Sequence, residues 1–331
     1  MSSKKWNAGK LLGLSGGFWE IATLHAAVRL DLFTVIGDES LDASEIANRL
    51  KADVRSQTML LNALVAMRLL EKENERYRNT DASTALLCKN APGYLGYMIS
   101  HHYHLVKSWH QLDQAVLTGQ QVRDSAGTAD DDQRESFLMG MFNTAMGNAP
   151  KLTAQLKLTG KKRLLDLGGG PGTYAIHFCK NNPELKACVF DRPTTRPFAE
   201  KIIKQFDMSS RVSFQDGDFL KDNIQGRYDV VWLSHILHGE GPQNCRNIID
   251  KTVAALEPGG VILIHDFILN STMDGPLFPA LFSLNMLLGT EDGQAYSEKQ
   301  FTDMLQEAGV KQIERFPYQG PNDSGVLMGT I

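Results

Sequence analysis

The chain has 331 residues, 42% of them hydrophobic and 22% charged, with a formal net charge of −4. These are ordinary globular values with length enough for two domains. A slightly acidic chain has no general attraction to phosphate backbones or anionic membranes, so neither nucleic acid nor a membrane is expected as a partner.

The first half reads as helical with one small hairpin. Apolar residues at helical spacing from Phe18 to Leu30 predict a helix. The segment LDASEIANRL predicts a second, capped by Asp42, with Glu45 three residues on as a capping box requires. Asp53 opens a third, and LLEKENERYRNT alternates around a turn-rich centre, as a hairpin does. Helices followed by a hairpin make a winged-helix pattern, which raises DNA binding as a rival function. The charges argue against it. From Leu41 to Thr80 seven basic residues are offset by six acidic ones, and the helix in the recognition position carries only Arg55 and Arg68. Subunit association is the plainer role. Residues 91–160 read as further helices rich in Met and aromatics. From Lys161 the pattern changes to short apolar runs (RLLDL, ACVFD, VSFQ, YDVVWLS, GVILIHDF) separated by helical stretches, which predicts a parallel sheet covered on both faces. IERFPY and SGVLMGTI predict a terminal edge hairpin. The expected domains are 1–155, helical, and 156–331, α/β.

Four cysteines, Cys88, Cys179, Cys188 and Cys245, have the spacing of neither a zinc site nor a disulfide framework, which suits a cytoplasmic home. The N-terminus does not read as a signal peptide, and no stretch approaches the roughly 18 apolar residues of a membrane span.

The run from Leu164 to Gly172, LLDLGGGPG, follows a strand and opens a helix. Its glycines, Gly168 and Gly170 among them, let backbone approach a ligand closely, and the helix N-terminus favours a negative group. Asp191, at the next strand end, is placed for ribose hydroxyls. The third strand ends in Gly217, Asp218 and Phe219, suited to an adenine. The loop lacks the G-x-G-x-x-G spacing of dinucleotide folds. With acidic residues at three successive strand ends, S-adenosylmethionine (SAM) is the expected cofactor, and S-adenosylhomocysteine (SAH) its product.

The motifs DLGGGPG, VFDRP, DGDF, ILHGE, EPGGVILIHDF and SLNMLLGTEDG together resemble the cation-independent small-molecule O-methyltransferases, a group that includes acetylserotonin, caffeate-type and bacterial natural-product enzymes. The resemblance covers nearly the whole chain. It implies a SAM-methyltransferase Rossmann-like sheet, an N-terminal winged-helix domain that forms a homodimer, and methyl transfer to a hydroxyl of a small, aromatic acceptor. His238 matches the family's base, and Asp266 stands where the family often has a Glu that orients it. A base titrating near neutrality helps because a neutral hydroxyl is a poor nucleophile. The sequence departs from the family in three places. Ala295 replaces a second Glu, and Gly239 and Glu240 replace an Asp and a Trp after the base. Asn285 matches a substrate-contacting Asn, and His235 a basic residue beside the cofactor. Met286, Phe142, Met146 and Tyr103 are expected pocket walls.

A carbon nucleophile on a conjugated ring would need His238 less, so C-methylation is the alternative within the same fold, along with a non-methylating SAM-binding relative. His235, His238, His265 and Asp266, like His101, His102 and His104, are residue types that ligate metals. Yet His265 and Asp266 are adjacent on a strand and point to opposite faces, so no catalytic metal is expected.

Overall fold

The computed structural model describes residues 5–123 and 131–331. In the N-terminal part the local signals act where the sequence puts them. The Asp42 carboxylate accepts from the Glu45 N–H at 2.9 Å and the Glu45 carboxylate accepts from the Asp42 N–H at 2.8 Å, so two otherwise orphaned donors at the head of the helix Ala43–Leu50 are satisfied. Asp53 caps the helix Val54–Ala66 through the Ser56 N–H at 2.8 Å. A short strand β1 (Leu41–Asp42) joins the hairpin of β2 (Leu70–Glu73) and β3 (Arg76–Asn79) in the order β1–β3–β2. The hairpin turns through Asn74 and Glu75, both left-handed. Phe33, Ile36, Ile46, Leu61, Leu64 and Tyr77 close a small core between these helices and the sheet.

The C-terminal part is built on β4 (Arg163–Leu167), β5 (Lys186–Asp191), β6 (Val212–Asp216), β7 (Tyr228–Ser234), β8 (Leu256–Leu269), β9 (Tyr296–Ser297), β10 (Lys311–Phe316) and β11 (Ser324–Thr330). Their order is β10–β11–β8–β7–β4–β5–β6, with β9 beside β8. Strands β4 to β8 pair in parallel, while β11 runs antiparallel to both β8 and β10, making the expected edge hairpin. Leu164 to Leu167 are all buried, as they must be in a strand with helices on both faces. Two cores result. One gathers Leu165, Val231, Ile264, Phe301 and Leu305, and the other Leu164, Phe178, Val189, Trp232 and Leu263.

Two features bear on the expectations. Backbone contacts divide the chain into Met1–His104 and Leu105–Ile331, beside the expected boundary at 155. The element type does change near 156. However, the helix Asp131–Gln155 lays Leu152 into the same core as Ala175 and Phe178 of the helix Thr173–Asn181, so it goes with the sheet. Secondly, the helical run Ala8–Arg29 is long and apolar enough to cross a membrane by length and composition. The charges of Lys10 and Glu20 interrupt it in the sequence without lowering its average enough to exclude it. In this chain it leaves Leu12, Leu14, Phe18 and Trp19 largely exposed.

Candidate active site

The parallel order brings the carboxyl ends of β4, β5, β6, β7 and β8 to one edge of the sheet, where ligands of such folds bind. At the end of β4 the chain needs left-handed backbone at Gly168, Gly170 and Gly172. Glycine at 168 also allows close packing, since a Cβ there would stand 2.6 Å from Ile236 Cγ2. The loop therefore lies directly against the segment that follows β7. The Gly168 N–H donates to the Phe190 carbonyl at 2.8 Å, and the Gly170 N–H donates to Asp191 Oδ2 at 2.8 Å. A Cβ at Gly170 would meet nothing within 4 Å, so the backbone there faces open space.

Asp191 also accepts from the Arg192 N–H at 2.7 Å and the Thr195 hydroxyl at 3.2 Å. A carboxylate offers about four lone-pair positions, so one remains for a ligand hydroxyl. Beside it the Gly217 N–H donates to the Asp191 carbonyl at 3.0 Å, and a Cβ at 217 would run into the Phe190 ring. Asp218 is occupied locally. Its Oδ1 accepts from the Leu220 N–H at 2.9 Å and its Oδ2 lies 3.4 Å from the Lys221 ammonium. Phe219 is half-buried against the core, and its carbonyl takes the Lys251 ammonium at 3.2 Å. Beneath the loop Asp166 is buried, with Oδ2 accepting from the Ala175 N–H and Oδ1 unpartnered. Burial, aided by the charge of Asp191 and opposed by that N–H, pushes its carboxyl up to about 7. A concave backbone loop, a helix N-terminus, and Asp191 with a position to spare fit a nucleoside cofactor with ribose hydroxyls.

The second half of the site follows β7 and β8. After Ser234 the chain turns sharply: His235 is left-handed, its N–H donates to the His265 carbonyl at 2.8 Å, and Leu237–Gly239 form a single 3₁₀ turn. That turn carries His238 over the end of β8. His238 Nδ1 lies 2.7 Å from Asp266 Oδ1, which also accepts from the Phe267 N–H at 2.8 Å. His235 Nδ1 is 3.6 Å from the same oxygen, beyond hydrogen-bond reach. Burial raises the Asp266 carboxyl, but the neighbouring imidazoles of His238 and His235 and the hydrogen bond from His238 outweigh it and hold the group well below the usual carboxylate range. An ionised Asp266 is acceptor-only, so the hydrogen between the two sits on His238 Nδ1, and Nε2 is the ring nitrogen left outside that bond. Strand alternation sends His265 to the other face. There it stacks on Trp232 and meets the Ser234 hydroxyl at 3.0 Å, and burial above all lowers its pKa well below the ordinary value. At the place of the second family Glu, Ala295 is fully buried, so His238 has one carboxylate partner among the described residues.

His235, His238 and Asp266 place three potential ligand atoms within 4.8 Å of one another. The short hydrogen bond commits the His238 nitrogen and the Asp266 oxygen to each other.

The expected wall residues fall in different places. Phe142 packs on Phe206 and the core rather than beside His238, because the helix that carries it faces the sheet-covering layer. Met146 is half-buried on that same helix. Tyr103 belongs to the N-terminal unit, where the Arg29 guanidinium lies 4.1 Å above its ring. The rings around His238 are instead Phe282, edge-on at 4.7 Å, and Phe267, parallel at 6.0 Å, with Phe278 4.9 Å from Phe267. Phe278, Phe282, Asn285 and Met286 recur at helical spacing on Leu277–Gly289, a periodicity present in the sequence. Asn285 accepts from Arg123, a residue sequence reasoning did not single out.

The chain matches known proteins in sequence and in fold. Residues 109–311 match the model of an O-methyltransferase domain, and residues 12–89 that of an O-methyltransferase dimerisation domain. The chain is 32% identical to 3-hydroxy-5-methyl-1-naphthoate 3-O-methyltransferase of Streptomyces sahachiroi, over 96% of this chain and 94% of that protein. Among solved structures, PigF with SAH superposes with a TM-score of 0.91 at 25% identity, covering 98% of this chain and all of the other. Human N-acetylserotonin methyltransferase in complex with SAM does so with a TM-score of 0.87 at 25% identity, covering 100% and 99%.

Proposed function

The chain belongs to the SAM-dependent O-methyltransferase family, and from that membership we propose that it methylates a hydroxyl of a flat aromatic small molecule with His238 as general base. The observation that carries this reading is the 2.7 Å contact between His238 Nδ1 and a buried, ionised Asp266 within a ring of phenylalanines. When bound, SAM supplies an activated methyl on a sulfonium sulfur. Gly168, Gly170 and Asp191 hold the cofactor, with Gly217, Asp218, Phe219 and His235 at its rim. Phe267, Phe282, Met286 and Asn285 hold the acceptor. His238 Nε2 accepts the hydroxyl proton, and Asp266 stabilises the resulting imidazolium through Nδ1–H. The aromatic acceptor is supported by the phenylalanine walls and by relatives whose names specify a naphthoate and acetylserotonin. Alignment of nucleophile and methyl supplies most of the remaining acceleration.

The exposed apolar run of Leu12, Leu14, Phe18 and Trp19 lies within the matched dimerisation domain, and a homodimer buries it. The test of the base is His238→Ala. It lowers kcat by about 10²–10⁴-fold with SAH affinity retained. Full activity in that variant would refute the base role and favour a carbon nucleophile or a pre-ionised acceptor.

A further inference from the structure

We infer that Arg123 and Asn285 form an anion seat in the acceptor pocket, so that the preferred substrate is a hydroxyaryl carboxylate rather than a neutral phenol. The inference rests on the acceptor reading above and narrows it. The segment ending at Arg123 is docked on the pocket helix, because the N–H groups of Val122 and Arg123 both donate to the Leu288 carbonyl, at 3.1 and 3.0 Å. Glycine at 289 makes room for the guanidinium, and any Cβ there would collide with it. The half-buried side chain is thus held on the face of the helix that carries the candidate acceptor contacts.

Its hydrogen bonds are poor for a cation. Nη1 donates to Ser108 Oγ at 3.3 Å and Asn285 Oδ1 at 3.4 Å, and Nη2 donates to the Asn285 carbonyl at 3.3 Å. All three acceptors are neutral and all three bonds are long for a charge-assisted contact. Among the described residues no carboxylate pairs with Arg123 and no acceptor meets its Nε. Arg49, Arg76, Arg163, Arg196, Arg246 and Arg315 each pair with a carboxylate at the surface. Arg123 is the less exposed residue, and a desolvated charge with no counter-ion among the described residues favours an anion beside it. Burial indeed disfavours its charged form.

Asn285 fixes the direction of the seat. Its Oδ1 accepts from Arg123, so its amide N–H groups are available as donors beside the guanidinium fork. A planar fork and one amide donor match the two oxygens of a carboxylate. Phe282, whose ring touches His238, lies three residues before Asn285 on the same helix. Three residues rise about 4.5 Å along a helix. The anion seat and the base therefore lie along one helix face, separated on the scale of a one- or two-ring aromatic bearing a hydroxyl and a carboxylate.

The experiment is calorimetric titration of the full chain, saturated with SAH, using 6-hydroxy-2-naphthoate, 3-hydroxy-2-naphthoate and the neutral 2-naphthol that lacks their carboxylate. The wild type binds at least one of the acids about tenfold to a hundredfold more tightly than 2-naphthol, as expected of a charge-assisted pair. Arg123→Met brings that acid down to the affinity of 2-naphthol. Equal binding of acids and naphthol by the wild type, or an acid preference that survives Arg123→Met, overturns the inference. If Arg123→Met loses SAH binding through misfolding, Arg123→Lys decides the matter: a preference reduced severalfold supports the forked seat, and an unchanged one overturns it. SAH donates no methyl, so these titrations read binding alone. Acid preference without any methylation by SAM would sink the hydroxyl-transfer reading and leave the seat standing.

Discussion

Asp266→Asn isolates the electrostatic part of the proposed mechanism. The substitution keeps the shape and an oxygen able to accept from His238 Nδ1 at 2.7 Å, but removes the charge. Two unit charges about 4 Å apart interact by about 4 kcal/mol at an effective dielectric of 20. The neutral amide retains about 1 kcal/mol as a hydrogen bond, leaving a loss of about 3 kcal/mol in stabilising the imidazolium. That corresponds to a fall in kcat of about 10²-fold or somewhat more. The assay is steady-state SAH release with a phenolic acceptor, alongside calorimetric SAH binding, which stays near the wild-type value because Asp266 is not among the groups assigned to the cofactor. A variant whose kcat stays within about threefold of the wild type, against the 10²-fold expected, would show that Asp266 does not act through charge.

Three further outcomes are expected. Asp191→Ala weakens SAH binding at least about tenfold, because ribose hydroxyls lose a charged acceptor and the Gly170 N–H loses its own; calorimetry reads it, and unchanged affinity would displace the cofactor. Asp166 binds its proton more tightly folded than unfolded, from 3.8 to about 7, so apo-protein stability falls as pH rises across that interval and levels off above it. The span is about 3 units, or about 4 kcal/mol, and Asp166→Asn removes that slope from urea unfolding curves recorded at pH 5 and pH 8; an unaltered slope would contradict the assignment. Finally, Leu12→Glu with Trp19→Glu shifts the protein to a monomer in light scattering, since both side chains stand exposed on the dimerisation helices; an unshifted dimer would place the interface elsewhere.

The sequence carried the local features well. The Asp42 and Asp53 caps, the alternating strands and the glycine loop are signals confined to a few neighbouring residues, and they form as read. The pairing of His238 with Asp266 spans 28 residues and two strand ends. It was legible only through the family resemblance, and the parallel register of β7 and β8 supplies the physical reason. The packing partners of the helices between 105 and 155 were not legible, because an amphipathic pattern says that a face is buried, not against what. The packing of Phe142 on Phe206 was unreadable for the same reason, while the spacing of Phe278 and Phe282 was present in the sequence. Arg123 left no local trace, since its setting of long bonds to neutral acceptors becomes visible only when the pocket helix is folded against it.

The most direct test of the central claim is the dependence of kcat on acceptor acidity, measured with a series of substituted phenols for the wild type and His238→Ala. With a working base the wild type methylates both weakly and strongly acidic phenols. His238→Ala loses the weakly acidic ones by about 10²–10⁴-fold and recovers towards wild-type rates on phenols already ionised at the assay pH. Parallel profiles for the two proteins, with no selective loss, would contradict the assignment of His238 as the base.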